Sequence, residues 1–145
     1  ENNHPYVTKG EAESKVVRDG KKVHVYITAI RSHFAPDNIE GVKVGDEVYF
    51  HVTNLEQDWD VPHGFAVKGA ANAELLIMPG ETQTLKWIPE KPGMWPIYCT
   101  DFCSALHQEM SGYVRVSPEG SNVPLTFSLG TNQPKDESSD APSEK

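Results

Sequence analysis

Between Lys22 and Val116 the chain is a succession of short β-branched and aromatic segments cut by proline and glycine, and this pattern decides most of what it can fold into. Val23, Val25 and Ile27 alternate with Lys22, His24, Tyr26 and Thr28, the period of a half-buried strand. Ile39, Val42 and Val44 lead to the turn residues Gly45 and Asp46, and the stretch from Glu47 to Thr53 is again β-branched and aromatic. Further strands are predicted at Gly64 to Val67, Glu74 to Ile77, Gln83 to Trp87, Met94 to Tyr98 and Gly112 to Val116, with Pro79-Gly80 and Pro92-Gly93 as punctuation. About seven short strands at such spacing predict an all-β sandwich. Pro96 cannot donate to a ladder, so its strand is expected to lie at an edge or to bulge there.

The flanks read differently. Residues 1–21 are polar and carry Pro5, Gly10 and Gly20 without a sustained apolar period, which predicts a lead-in or interdomain linker. Residues 22–118 form one domain, since 145 residues have room for a single core. Residues 119–145 are expected to be a largely disordered acidic tail, because 131–145 contain no aromatic or branched aliphatic side chain. A late strand within Leu125 to Leu129 is a weak signal, and Ser104 to Glu109 is the one stretch with helical character.

Thirteen basic against twenty-one acidic side chains give a net charge of −8, which disfavours nucleic acid and anionic membranes and favours a cationic protein partner. No run approaches the eighteen or so apolar residues that span a bilayer, and the first residues are too polar for a signal peptide.

Cys99 and Cys103 are too few for a disulfide framework and too close together to staple distant parts of a core. The stretch from Tyr98 to Met110 instead gathers two thiols, the imidazole of His107 and the thioether of Met110, all soft or borderline metal donors. Spacings of four, four and three bring them to one side of a compact loop or helical turn. A tetrahedral zinc site, a local disulfide and a Cys-His nucleophile pair are the alternatives. Thioether sulfur is a poor zinc ligand and a good copper ligand, so Met110 favours copper. His63, opening a strand after Pro62, is the chosen second imidazole. His24 and His51 fall within strands, where a hydrogen-bonded imidazole is expected; His4 lies in the lead-in and His33 follows a strand. Trp95 reads as a packing residue. No Gly-x-Ser-x-Gly turn, phosphate loop or His-Glu-x-x-His helix is present.

The order His63, Cys99-x-x-x-Cys103-x-x-x-His107-x-x-Met110 near the end of a β-rich chain resembles the CuA domains of nitrous-oxide reductase and, more distantly, of cytochrome c oxidase subunit II. Asp46-Glu47-Val48, His63-Gly64-Phe65, Pro92-Gly93 and Ala105-Leu106-His107 resemble the reductase in particular, and the likeness covers roughly Lys22 to Val116. It implies a cupredoxin-like Greek-key sandwich with a metal-binding loop near the C-terminal end. Two copper ions would share both cysteine sulfurs and each take one imidazole, with Met110 sulfur and the Asp101 backbone carbonyl as weak outer ligands. Asp101 departs from both branches, since reductases carry an aromatic residue there and oxidases a glutamate; the oxidases also favour glycine where this chain has Ser104.

The implied role is one-electron transfer in the periplasm, within denitrification. A c-type cytochrome or another cupredoxin would be the donor and a separate catalytic copper cluster the acceptor. In the resembling enzymes a histidine-rich propeller holds that cluster, and six histidines without a repeat cannot build one, so the chain alone is not expected to be catalytic. An oxidase subunit II domain and a free-standing electron carrier are the alternatives. Glu56, Asp58 or Asp60 is expected to orient His63, with Phe65, Ile97, Phe102 and Leu106 keeping water away.

Overall fold

The computed structural model describes residues 6–10, 13–30, 33–57, 62–68, 74–100 and 111–128. Eleven strands lie within them: β1 (Lys15–Asp19), β2 (Lys22–Ile30), β3 (His33–Ala35), β4 (Asn38–Lys43), β5 (Glu47–Asn54), β6 (His63–Val67), β7 (Glu74–Ile77), β8 (Thr82–Trp87), β9 (Gly93–Tyr98), β10 (Ser111–Ser117) and β11 (Thr126–Ser128). One sheet has the order β1-β2-β5-β8, with β3 beside the far end of β2; the other runs β11-β4-β10-β9-β6-β7. Among the described residues no helix is long and apolar enough to cross a membrane.

The alternation seen in the sequence is what closes the two sheets on each other. Val23, Val25 and Ile27 of β2 and Val48, Phe50 and Val52 of β5 face inward and are fully buried. From the other sheet come Ile39, Phe65, Ile97 and Val114. The ring of Phe65 stands edge-on to Phe34, with centroids 5.4 Å apart, and lies 5.1 Å from Phe50. Burying each such ring is worth roughly 2 kcal/mol of transfer free energy, so one aromatic knot holds both sheets just below the start of β6. Trp95 packs edge-on against Trp87.

Three expectations need correction. The segment 1–21 is not all lead-in, because 15–19 pair antiparallel with β2 from Lys15↔Tyr26 to Asp19↔Lys22. Gly20, at φ +65°, makes the two-residue hairpin turn, and the strand escaped notice because Lys15-Val16-Val17-Arg18-Asp19 does not alternate by polarity. Residues 119–145 are not all tail, since the weak late-strand signal within Leu125 to Leu129 holds: residues 126–128 form a strand on β4, and Gly41, at φ +97°, lets the Pro124–Leu125 backbone pass where a Cβ would clash. Residues 129–145 lie outside the described residues, as does the helical stretch at 104–109.

The third concerns Pro96. Its strand is interior, flanked by β10 and β6, and not an edge. Register with β6 covers only Ile97 and Tyr98, and the Pro96 carbonyl accepts the Lys68 amide at 2.8 Å on that same side. The absent N–H faces Lys68, so proline costs only the reciprocal bond of this last rung, where the β6 pairing runs out.

Candidate metal centre

β9 ends at Tyr98 and β10 begins at Ser111, and these two residues are register partners. The chain therefore leaves β9 and enters β10 at the same end of the sandwich. β6 runs antiparallel to β9, with Ala66 opposite Tyr98, so its first residue, His63, stands at that same end. Cys99 is 4% exposed and His63 fully buried.

The surroundings of His63 are built by the chain that leaves β5. His63 Nε2 lies 2.9 Å from Glu56 Oε2, and the Glu56 side chain is itself 8% exposed. A carboxylate only accepts, so Nε2 carries the hydrogen, and in the neutral ring the lone pair is then on Nδ1, which is also buried. Metal-bound histidines commonly give their other ring N–H to a carboxylate, which holds the ring in place, and that arrangement fits a metal approaching from Nδ1.

Asn54, which the sequence reading did not single out, holds this arrangement together. Its Oδ1 accepts the Glu56 amide at 2.8 Å, and its Nδ2 donates to the Ile77 carbonyl at 2.9 Å. Ile77 is the register partner of His63, so one fully buried amide fixes both the carboxylate and the strand beside the imidazole. The available signal was an Asn ending a strand two residues before a Glu, a pattern that favours a side-chain-to-backbone turn.

Cys99 is disulfide-bonded, with its partner outside the described residues. Asp101, Cys103, His107 and Met110 also lie outside them, as do Asp58, Asp60, Phe102 and Leu106. The structure therefore brings His63, Glu56, Cys99, Phe65 and Ile97 to one end of the sandwich. His24 and His51 sit elsewhere, on the outer face of the β2–β5 sheet.

No family model matches the chain. Over 108 residues it is 41% identical to nitrous-oxide reductase of Stutzerimonas stutzeri, a match covering 74% of this chain and 17% of that protein. Over 102 residues it is 35% identical to cytochrome c oxidase subunit 2 of Thermus thermophilus, covering 70% of this chain and 71% of that one. The chain thus spans about a sixth of the length of the reductase relatives it matches.

Among solved structures, a heme-copper terminal oxidase dimer superposes with a TM-score of 0.62 at 25% identity, over 79% of this chain and 74% of that one. The periplasmic domain of cytochrome oxidase subunit II from Bradyrhizobium japonicum gives 0.55 at 18% identity, over 72% and 89%, a likeness of fold.

Proposed function

The chain belongs to the CuA family of cupredoxin domains, the one shared by nitrous-oxide reductase and cytochrome c oxidase subunit 2, and from that premise we propose that it carries single electrons through a dinuclear copper centre. The observation that carries this reading is the buried Glu56–His63 pair at the end of the sandwich where Cys99 opens the Cys99-to-Met110 loop. His63 Nδ1, Cys99, Cys103, His107, Met110 and the Asp101 carbonyl would hold the two copper ions. Copper held there would supply a one-electron redox couple, with its charge partly offset by the thiolates of Cys99 and Cys103. The chain's own part is to keep the structural change on electron uptake small. Glu56 fixes the His63 ring, Asn54 fixes Glu56, and the buried Phe65 and Ile97 exclude water from the strand ends beneath.

Both cysteines must be thiolates to ligate, so loading would first need a thiol reductant to give the disulfide at Cys99 two electrons, which yields the two thiolates directly. The donor would be a c-type cytochrome or cupredoxin, the acceptor a catalytic copper cluster in a separate domain, and the compartment the periplasm. The reductase branch is preferred over the oxidase branch by 41% against 35% identity. The competing reading, a structural disulfide with no metal, rests on that same bond.

Copper titration of the thiol-reduced chain distinguishes them. The dinuclear reading expects two coppers per chain, a purple colour, and an electron paramagnetic resonance spectrum of one unpaired electron shared by two equivalent nuclei, all lost in Cys103→Ser. A reduced chain that takes no copper, or one ion with a localised signal, overturns it.

A further inference from the structure

The outer face of the β2–β5 sheet carries two histidines that no part of the metal centre uses. Tyr26 and His51 are register partners there, as are His24 and Tyr49, so the two imidazoles are diagonal neighbours. His24 Nδ1 lies 2.9 Å from His51 Nε2, and the rings are 14° from parallel with centroids 5.1 Å apart, an edge-to-edge hydrogen bond. The other nitrogen of His51, Nδ1, is 2.8 Å from the Thr84 hydroxyl. His51 is 1% exposed and His24 half-buried. Residues 6–10 cross above them. The Tyr6 ring lies parallel over His51 at 4.0 Å and reaches His24 at 5.9 Å, and the Thr8 amide donates to Thr53 Oγ1 at 3.1 Å.

We propose that residues 6–10 form an acid-released strap, which lifts from this face when His24 and His51 are both protonated. A hydrogen bond between two imidazoles needs one N–H and one lone pair. The neutral pair supplies both, and so does the pair with one added proton. A second proton turns both facing nitrogens into N–H donors, and two donors do not share a contact of 2.9 Å. The closed face therefore holds at most one extra proton and the open face two, so falling pH drives opening. Bordering charges act in the same sense. Lys15 on β1 stands over Tyr26, Lys86 on β8 over Tyr49, and Lys22 on β2 lines the groove beside His24. Against these three ammonium groups stand Asp19 on β1 and Glu47 on β5, and Glu47 is already engaged by the Tyr49 hydroxyl and Lys86. The Tyr6 ring attracts an imidazolium beneath it, but offers no acceptor to an N–H that has lost its partner. Parting of the strands does not relieve the contact, because β2 and β5 pair over eight residues between β1 and β8. The nearly coplanar rings separate only by turning out of their common plane, which Tyr6 roofs. Tyr49 stacks on His24 at 5.2 Å but is fixed within β5, so Tyr6, outside both sheets, is the side chain that gives way.

The test follows the Thr8 amide by hydrogen exchange and the Tyr6–His51 ring contact by nuclear Overhauser effect in the full chain, from pH about 7.5 to about 4.5, across the ordinary imidazole range. After correction for the intrinsic exchange rate, Thr8 protection should fall by up to about tenfold per pH unit at the acid end, the slope of one linked proton. The ring contact should vanish over the same interval while the amides of β5 stay protected. His24→Gln should keep the strap closed throughout, because its side-chain amide meets His51 Nε2 as donor or as acceptor. Thr8 protection that ignores pH, or that falls equally in His24→Gln, overturns the strap. Loss shared by the β5 amides is acid unfolding and overturns it too. Should His24→Gln fail to fold, the ring signals of His24 and His51 in the parent decide the matter. Release that tracks the second protonation supports the strap, and release that tracks the first, or neither, overturns it.

Discussion

Glu56 is the side chain on which the behaviour of His63 turns, because it is the hydrogen-bond acceptor of a fully buried ring. Removing its charge lowers the electron density that His63 offers a metal. Glu56→Gln, which keeps an acceptor, should therefore raise the reduction potential of the loaded chain, read by spectroelectrochemistry, while copper affinity falls about tenfold. Glu56→Ala leaves a buried N–H without its acceptor and should in addition destabilise the fold by about 1–3 kcal/mol in urea unfolding. A carboxylate that merely filled space would move stability and leave the potential unchanged. At this scale the sequence showed donors and not their supports. His63 stood out by its place after Pro62, and Glu56 was one of three nearby carboxylates. Asn54 gave only a local signal, its place two residues before Glu56, because the other half of its task depends on Ile77, twenty-three residues away in the other sheet.

Between elements, the joints are polar. Arg18 on β1 grips Asp46 at the entry to β5 with both guanidinium nitrogens, at 3.0 and 2.8 Å, and its Nη2 also donates to the Gly41 carbonyl on β4. The Lys43 amide adds a bond of 2.8 Å to the same carboxylate, so one acid ties strands of both sheets together. Burial pushes the Asp46 carboxyl up, but the Arg18 guanidinium and the Lys43 amide outweigh it and hold the group below the ordinary carboxylate range. A folded pKa below the unfolded one contributes stability that is complete above the unfolded value of about 3.9 and is lost as the pH falls through the folded value. The acid limb of a stability-against-pH curve should therefore flatten in Asp46→Asn, with about 2 kcal/mol lost at pH 7.

The second joint is steric. A Cβ on Gly112 would run into the Asp37 carbonyl, which also accepts the Tyr113 amide, so Gly112→Ala must push β10 away from β4. A loss of about 3 kcal/mol in chemical denaturation is expected. The half-buried strands were legible in the sequence because alternation is local. The parallel pairings of β2 with β5 and β4 with β10 were not, since they join segments whose partners no short window contains. Pro96 misled for a related reason: the residue rule was sound, but where β6 stops pairing is a property of the whole sheet.

For the molecule as a whole the governing quantity is its charge of −8. An acidic surface draws a basic partner from beyond contact range, and that attraction is screened over about 8 Å at physiological salt. The second-order rate of electron uptake from a basic carrier should consequently fall about tenfold or more as ionic strength rises from about 10 to 200 mM, while uptake from an acidic carrier changes little or rises. The segment 131–145 contributes Asp136, Glu137, Asp140 and Glu144 against Lys135 and Lys145, a net −2 out of −8. If steering is a property of the whole charged body, a chain truncated after Gly130 keeps most of the salt slope measured by stopped flow. If the slope disappears with those fifteen residues, the tail is a docking arm in its own right. The magnitudes favour the first outcome, because a field summed over a net charge of −6 on the remaining chain exceeds what two units on one terminal segment can supply.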